Sequence, residues 1–538
     1  MSTEIYAEYP PELSTQQERW LIQTVKDWTI EHGLAIRPST AIVPEKTNPG
    51  NVLATNAPVT LFPSPFPKSC YDQARSLQQT YNELYAAIAN DEGWLETIME
   101  ELIEVDDFLA KLWETHLRVK KDGYVQNMTL GMFRSDYMLH TSEDCPPSLK
   151  QIEFNTISSS FGGLACLVAE MHTHLATYPS AQHPVAYPPH PLFSNYESTS
   201  IKSIGHPPSN TAVSTLTAGL AAAHQAYGPS KSSPQLPTCI LFLVQDEERN
   251  IFDQLALSRH LYKHHGIPSF RLRTSKVMSD TFCAFDHPSR PLVYTPPSSP
   301  STKYEVTVVY FRALYSPTEY ENSDCWASRY WLERSGAIKC PSILLQLAGS
   351  KKVQQVLTSR PPGPDYLKAF LPNHSDATLD NLRSTFAPQY SLSSTDPAVQ
   401  AEGIKLALDR ATAANHVLKP QREGGGNNIY RTNIPPFLKS IPESEWKQYI
   451  LMELIHPPEQ AHNTVLRSDG AVFMSDVISE LGIFGTCLWK TAPGVKQPEV
   501  MHNTEGGYLM RTKAKDSDEG GVAAGFSSLD SLILYEEV

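Results

Sequence analysis

The sequence predicts a mixed α/β protein, α/β in its middle and α+β over the whole chain, and three observations lead there. Roughly the first hundred residues carry apolar positions at helical spacing, residues 211–345 alternate strands with helices, and the last third joins apolar, strand-like runs by glycine-rich loops. At 538 residues the chain exceeds one ordinary core and corresponds to about two to four domains. Its 41% apolar and 19% charged residues are the proportions of a globular protein in water. A formal charge of −14 argues against a chain built to coat nucleic acid or an anionic membrane. Basic groups that bind an acidic substrate must then be gathered locally. The opening MSTEIYAEYPPEL lacks the apolar core of a signal peptide, and no apolar run approaches the ~20 residues that span a bilayer. The eight cysteines, at 70, 145, 166, 239, 283, 325, 340 and 487, show no Cys-x-x-Cys or framework spacing and read as reduced thiols of a cytosolic protein.

Residues 12–32 form the first expected helix, with Ser14 and Gln17 at capping-box spacing and Trp20, Leu21, Val25 and Trp28 on one face. Residues 69–90 and 92–118 repeat the pattern at greater length and carry no evident chemistry. MTLGMFRSDYML (128–139) places Arg134 where an apolar strand is expected to run out into a loop. In QIEFNTISSSFGGL (151–164), alternation puts Glu153 and Asn155 on one strand face, roughly 7 Å apart. Two oxygen donors so spaced suit a hard cation, because Mg²⁺ combines one or two protein oxygens with substrate phosphates. A polar strand edge has the same pattern. Ser158, Ser159 and Ser160, ahead of Gly162 and Gly163, add hydroxyls and turn amides at the strand end, where α/β sheets bind ligands.

Seven prolines between Tyr178 and Asn210 mark a loop or linker. His172 and His174 have no third metal ligand in the neighbouring sequence and read as ordinary polar positions. With Asn210 as N-cap, the chain then runs helix 211–227, strand 239–245, helix 250–265 stopped by Gly266, strand 269–273, a proline-rich excursion 284–303 and strand 305–311. This is the pattern of a small parallel α/β unit. DEERN (246–250), with Gln254 one turn later, falls at the carboxyl end of its first strand, and Arg312 and Tyr315 at the end of its last. Ligands bind at such ends, and charges there also merely solubilise turns.

Residues 341–357 suggest a helix on which the adjacent Lys351 and Lys352 read as a solvated face. A helix at 398–414 leads to VLKPQREGGGNNIY (417–430). Its three adjacent glycines are costly in backbone entropy, and in return they allow bare N–H groups to approach an anion. With Lys419 before and Asn427 and Asn428 after, the run reads as a flap over a polyphosphate, although neither a Walker A string nor Gly-x-Gly-x-x-Gly occurs. YILMELI (449–455) suits an adenine pocket, and VISELGIFG (477–485) is apolar except for Glu480. In YLMRTKAKDSDEGGVAAGF (508–526), Arg511 and Lys513 share a strand face ahead of a second glycine-alanine flap.

QIEFNTISSSFGG, QLAGSKKVQQ (346–355), VLKPQREGGGNNIY with YILMELI, and RTKAKDSDEGGVAAG (511–525), with DEERNIFDQ (246–254) as a fifth stretch, together resemble eukaryotic glutathione synthetase. The matches keep the family's order from Arg134 to Gly525. The resemblance implies an ATP-grasp fold: a helical N-terminal region and first part of the core in 1–210, an inserted α/β substrate-binding domain in 211–345, and an ATP-grasp domain with two lid loops in 346–538. It also implies a cytoplasmic homodimer that uses ATP and two Mg²⁺ ions to join γ-glutamylcysteine to glycine. The cysteinyl carboxylate becomes an acyl phosphate, which the glycine amine attacks.

Residue by residue, the resemblance makes Glu153, Asn155 and Glu423 magnesium ligands. It assigns ATP to Lys351, Lys419, Glu423, Gly424, Gly425, Gly426, Asn427, Asn428, Tyr430, Met452, Glu453, Leu454, Ile455, Glu480, Lys513 and Glu519. Peptide and glycine fall to Arg134, Ile157, Ser158, Ser159, Ser160, Glu248, Arg249, Asn250, Gln254, Arg312, Tyr315, Arg511, Val522 and Ala523. Arg134, Lys351, Lys419 and Arg511 are the expected catalytic set. The residue types agree: phosphoryl transfer asks for positioning and neutralisation, and a lysine ~4 Å from a phosphate oxygen supplies roughly 4 kcal/mol at an effective dielectric near 20. Arginine forks suit carboxylate-rich substrates. Gly424–Gly426 and Gly520–Gly521 are the expected lid hinges. Leu314 stands where the family usually has glycine, Glu519 where several members have aspartate, and Ala523–Ala524 resembles members that use glycine and not β-alanine. An ATP-grasp ligase with another amine acceptor, or a non-catalytic nucleotide-binding relative, is the alternative.

Overall fold

The computed structural model describes residues 9–142, 145–178, 187–193, 201–203, 205–320, 323–359, 363–394, 396–421, 427–492, 494–515, 522 and 527–537. The first expected helix forms as Thr15–His32, with both halves of the Ser14–Gln17 capping box in place and Gly33 ending it at φ 76°. Lys68–Asn90 is the second. The expected 92–118 helix is instead two, Glu92–Leu102 and Asp107–Asp122. Asp106 accepts the Phe108 and Leu109 amides and caps a new start, a signal that apolar periodicity across the break conceals.

Met128–Ser142 (β1) and Cys145–Asn155 (β2) pair antiparallel. Thr238–Val244 (β3), Ser269–Arg273 (β4) and Tyr304–Phe311 (β5) lie parallel with β3 in the middle, as the alternation predicts. The proline-rich excursion is more than a loop, because Leu292–Tyr294 pairs antiparallel with β5 and with Thr281–Cys283. Its prolines flank that strand and leave its amides to the ladder. Ile338–Cys340 (β6) runs parallel to both β5 and β1 and joins the small unit to β1 in one sheet. His416–Pro420 (β7) and Tyr449–Glu453 (β8) pair antiparallel at the centre of a separate four-stranded sheet, with Ile429–Tyr430 beyond β7 and Gln389–Ser391 beyond β8. Val472–Lys490 (β9) then returns to the first sheet, antiparallel to β1, with Glu499–Ala514 (β10) beside it, for thirteen strands among the described residues.

Alternation along β9 separates two cores. Phe484 and Leu488 join the cluster built on Thr15–His32, Gly162–Thr177 and Ala212–Tyr227, while Ile483, Cys487 and Trp489 join that of Lys68–Asn90, Glu92–Leu102 and Asp107–Asp122. A sheet covered on both faces is apolar on both. Charged side chains buried within it therefore call for a partner or a ligand.

Candidate active site

Two buried charges, Arg134 and Asp136, and two half-buried ones, Arg511 and Glu480, meet where β1, β2, β9 and β10 run side by side. Arg134 does not stand at a strand end: β1 continues past it to Ser142, and the side chain is buried. The reason is Asp136 on the same face, whose carboxylate accepts from Arg134 Nε at 2.6 Å and Nη2 at 2.8 Å. Arg511 on β10 donates Nη2 to Asp136 at 2.9 Å and to Glu480 at 2.9 Å, Glu480 being its register partner on β9. Asn155 lies opposite Arg134 across the β1–β2 ladder and donates Nδ2 to the Arg134 carbonyl at 3.1 Å and to Asp136 at 3.0 Å. Burial works against the charge of Arg511, but Asp136, Glu480 and Glu153 outweigh it and hold its pKa above the ordinary arginine value.

Glu153, two residues along β2, accepts Lys351 Nζ at 2.6 Å. The expected 341–357 helix is broken into Ile343–Ala348 and Lys351–Leu357, and the break brings Lys351 to β2. Gly349 lies in it, where a Cβ would stand 2.3 Å from Thr156 Oγ1. The two lysines are not a solvated face. Lys352 is buried as well, paired to Glu101 at 3.1 Å and bonded to Ser391 Oγ at 3.2 Å, and so pins this helix to the four-stranded sheet. Lys419 comes from that sheet and donates Nζ to the Ile152 carbonyl at 3.0 Å, so one lysine from a helix and one from the four-stranded sheet converge on the same stretch of β2. Burial first, then Lys351 and Lys513, pull the Lys419 pKa down to about 8 against Glu153 and Glu480. Burial pushes Glu153 the other way, yet the charges of Lys351, Lys419 and Arg511 hold its carboxyl well below the usual range.

On the four-stranded sheet, Met452 is buried with Val417 and Ala387, and Tyr430, Leu454 and Ile455 pack on them, an apolar cluster on its two central strands. Glu453 takes the Tyr390 hydroxyl at 2.7 Å, and Asn428 reaches the Tyr430 hydroxyl at 3.2 Å, with Asn427 exposed beside it. Glu423, Gly424, Gly425, Gly426, Glu519 and Ala523, and with them both expected hinges, lie outside the described residues.

Most of the other residues expected to meet the peptide gather at the carboxyl ends of β2, β3 and β5. Ser158, at φ 54°, donates to the Phe311 carbonyl at 3.1 Å, and Ser160 accepts Arg134 Nη1 at 3.2 Å through its carbonyl. The turn amides expected to meet a ligand are already engaged: Phe161 and Gly163 donate to Asp253 at 3.0 and 2.7 Å, and Arg312 donates to the same carboxylate at 3.0 Å. Gln254 donates to Glu248 at 2.5 Å and accepts Arg271 at 2.8 Å, while the Asn250 amide donates to Glu248 at 2.8 Å. Arg249 turns to the Arg37 carbonyl at 3.1 Å. Tyr315 accepts from Gln245 at 3.0 Å, and Ile157 and Val522 are apolar and buried. The departure at Leu314 has a plain geometry: the residue sits at φ 66°, the left-handed region that favours glycine, with its N–H on Glu319 at 2.8 Å and its carbonyl on Gln346 at 3.1 Å.

Sequence reasoning passed over Asp136, Asp253, Arg271 and Gly482. Asp136 was within reach, because the period-two argument that pairs Glu153 with Asn155 also sets it beside Arg134. Asp253 meets partners 90 and 59 residues away and leaves no local signal.

Buried polar atoms without a partner among the described residues cluster at the same end of β2: Thr156 Oγ1, Ser159 Oγ, Gln346 Oε1 and Ser350 Oγ. Such atoms await a ligand or water. Both Nδ2 bonds of Asn155 point to protein acceptors, so its Oδ1 and the Glu153 carboxylate are the hard oxygens that fit Mg²⁺. Among the described residues no group of three or more His, Cys, Asp or Glu could hold a metal.

One lysine from a helix and one from the four-stranded sheet over an acidic strand, an apolar cluster beside them and arginine forks beyond are the parts of an ATP-grasp ligase. The family model for the eukaryotic glutathione synthase ATP-binding domain matches residues 15–534. The glutathione synthetase large chain of Schizosaccharomyces pombe is 37% identical over 527 residues, 95% of this chain and 96% of its own length. Glutathione synthetase of Homo sapiens is 37% identical over 517 residues, 96% of this chain and 97% of its own. A glutathione synthetase-like effector from Globodera pallida, solved in its apo form, superposes with TM-score 0.70 at 20% identity over 97% of this chain and 98% of its own, which shows the fold. The chain belongs to the eukaryotic glutathione synthase family. It is an ATP-binding ligase of glutathione synthesis.

Proposed function

We propose that the chain activates the cysteinyl carboxylate of γ-glutamylcysteine with ATP and delivers it to glycine, with phosphate and ADP released. The observation that carries this reading is the convergence of Lys351 and Lys419 from separate elements on the Glu153 strand. These cations are placed to neutralise a phosphoryl group whose charge spreads over its oxygens during transfer. Mg²⁺ held by Glu153, Asn155 and Glu423 would supply the remaining neutralisation. Arg134 and Arg511 hold the dipeptide's carboxylates, with Arg312, Gln254, Glu248 and the Ser158–Ser160 loop at its glutamyl end. Met452–Ile455 and Tyr430 take the adenine, and Glu480 and Lys513 the sugar and phosphate side. The loops at Gly424–Gly426 and 519–523 exclude water, which would otherwise hydrolyse the acyl phosphate. The three-part division at residues 210 and 345, a homodimer and a cytoplasmic location belong to the same reading. No described helix is long and apolar enough to cross a membrane.

Phosphate release with ATP, Mg²⁺, γ-glutamylcysteine and glycine, each omitted in turn, tests it, with β-alanine in place of glycine as a parallel arm. Full dependence on all four and tripeptide product are expected. Protein with neither Mg²⁺-dependent ATP affinity nor tripeptide product would refute it.

A further inference from the structure

We propose that Asp136 is a positioning residue that sets, through one carboxylate, both the arginines that hold the dipeptide and the amide that faces Mg²⁺. This rests on the roles given above to Arg134, Arg511 and Asn155.

The side chain is 1% exposed and accepts four hydrogen bonds: Arg134 Nε at 2.6 Å, Arg134 Nη2 at 2.8 Å, Arg511 Nη2 at 2.9 Å and Asn155 Nδ2 at 3.0 Å. A carboxylate offers about four lone-pair sites. Oδ2 takes three of these bonds and Oδ1 one, all from protein donors, so what Asp136 does is done through its neighbours.

Three consequences follow from the geometry. The two-point grip fixes the plane of the Arg134 guanidinium, whose Nη1 also ties to the Ser160 carbonyl at 3.2 Å, so the fork and the serine loop are set together. Asp136 also takes Arg511 Nη2, which links the fork on β10 to the one on β1, and the same Nη2 reaches Glu480 on β9. The Asn155 amide is held with nitrogen toward Asp136, because the reverse orientation would set its oxygen against a carboxylate; Oδ1 is thereby the atom left for a cation. The backbone is shaped for this arrangement. Gly482 lies opposite Asp136 on β9, and a Cβ there would stand 2.8 Å from Asp136 Oδ1 and 2.7 Å from Arg134 Cδ.

A buried counter-ion with no positioning role would affect stability alone. The test uses Asp136→Asn, which keeps the shape, and the exchange D136N/N155D, which keeps the charge and the hydrogen bond but reverses its direction. Mn²⁺ affinity in the presence of ADP is read by electron paramagnetic resonance, γ-glutamylcysteine affinity by calorimetry, and folding by thermal melting. D136N is expected to fold and to lose about tenfold in both affinities, the scale seen when a ligand's orienting partner is removed. The exchange is expected to recover Mn²⁺ affinity, since a carboxylate now faces the ion, while dipeptide affinity stays weak. A folded D136N with both affinities intact overturns the proposal. Should D136N fail to fold, the exchange decides alone: dipeptide affinity equal to wild type, or Mn²⁺ affinity lost with it, overturns the proposal. A wild-type chain that makes no glutathione would instead remove the reading beneath it.

Discussion

Raising the pH from 7 to 9 is expected to weaken nucleotide binding about tenfold, through Lys419. This lysine is buried, has Lys351 and Lys513 nearby, and titrates at about 8 in the nucleotide-free chain. It is therefore about nine-tenths charged at pH 7 and one-tenth at pH 9. A bound polyphosphate holds it protonated, so above pH 8 binding must take up a proton, and the loss across this range is about 1.4 kcal/mol. Calorimetry with a non-hydrolysable ATP analogue and Mg²⁺ measures it directly. Lys419→Arg, which stays charged, should flatten the profile, and Lys419→Met should bind weakly at every pH. The sign for stability is opposite. A lysine whose folded-state pKa lies below the usual 10.5 penalises the folded chain at low pH, so nucleotide-free stability should rise as pH climbs from about 8 toward 10.5. A wild-type profile that stays flat, or one with the same slope in Lys419→Arg, would refute the reasoning.

Gly482→Ala should lower kcat/KM for the dipeptide about 100-fold, since the 2.7 Å clash with Arg134 forces the fork to move by something near an ångström. The accompanying loss of stability should be about 1–3 kcal/mol, and an unchanged dipeptide KM would contradict the placement. Leu314→Gly relieves a left-handed backbone worth about 1–2 kcal/mol, yet it removes a fully buried side chain worth about 2–5 kcal/mol, so urea unfolding should show a net loss. His172, buried between Ser531 at 2.7 Å and the Thr60 carbonyl at 2.9 Å, has its pKa pushed down to about 4 by burial. Its contribution is present above 6.5 and lost as pH falls toward 4, about 3 kcal/mol in all, so His172→Gln should flatten acid destabilisation over that window. Asp530 acts in the opposite sense. Burial raises its pKa to about 6, and it favours the fold most at low pH.

Much of the architecture could be read from pattern. The β3–β4–β5 unit follows from strands alternating with helices, and Ser14 with Gln17 announces the first helix because both ends of that bond lie three residues apart. The 92–118 stretch misleads for the converse reason: one helix ends at Leu102 and Asp106 caps the start of another without disturbing the apolar period. The two lysines at 351 and 352 read as a wet face until the chain turns at Gly349 and brings them against β2 and the four-stranded sheet.

The sequence by itself determined which side chains stand ready for the chemistry. Glu153 with Asn155, Arg511 with Lys513 and the glycine-rich run are spaced by local backbone periods that need no knowledge of distant partners. Only the tertiary structure decided what each charge meets. Asp136 receives Arg511 across 375 residues, Lys351 reaches Glu153 across 198, and Lys419 reaches the Ile152 carbonyl across 267. A buried charge is tolerable only with its partner beside it, and where that partner lies so far along the chain, the packing of strands, sheets and the helix at Lys351 against one another, and not sequence spacing, brings the two together.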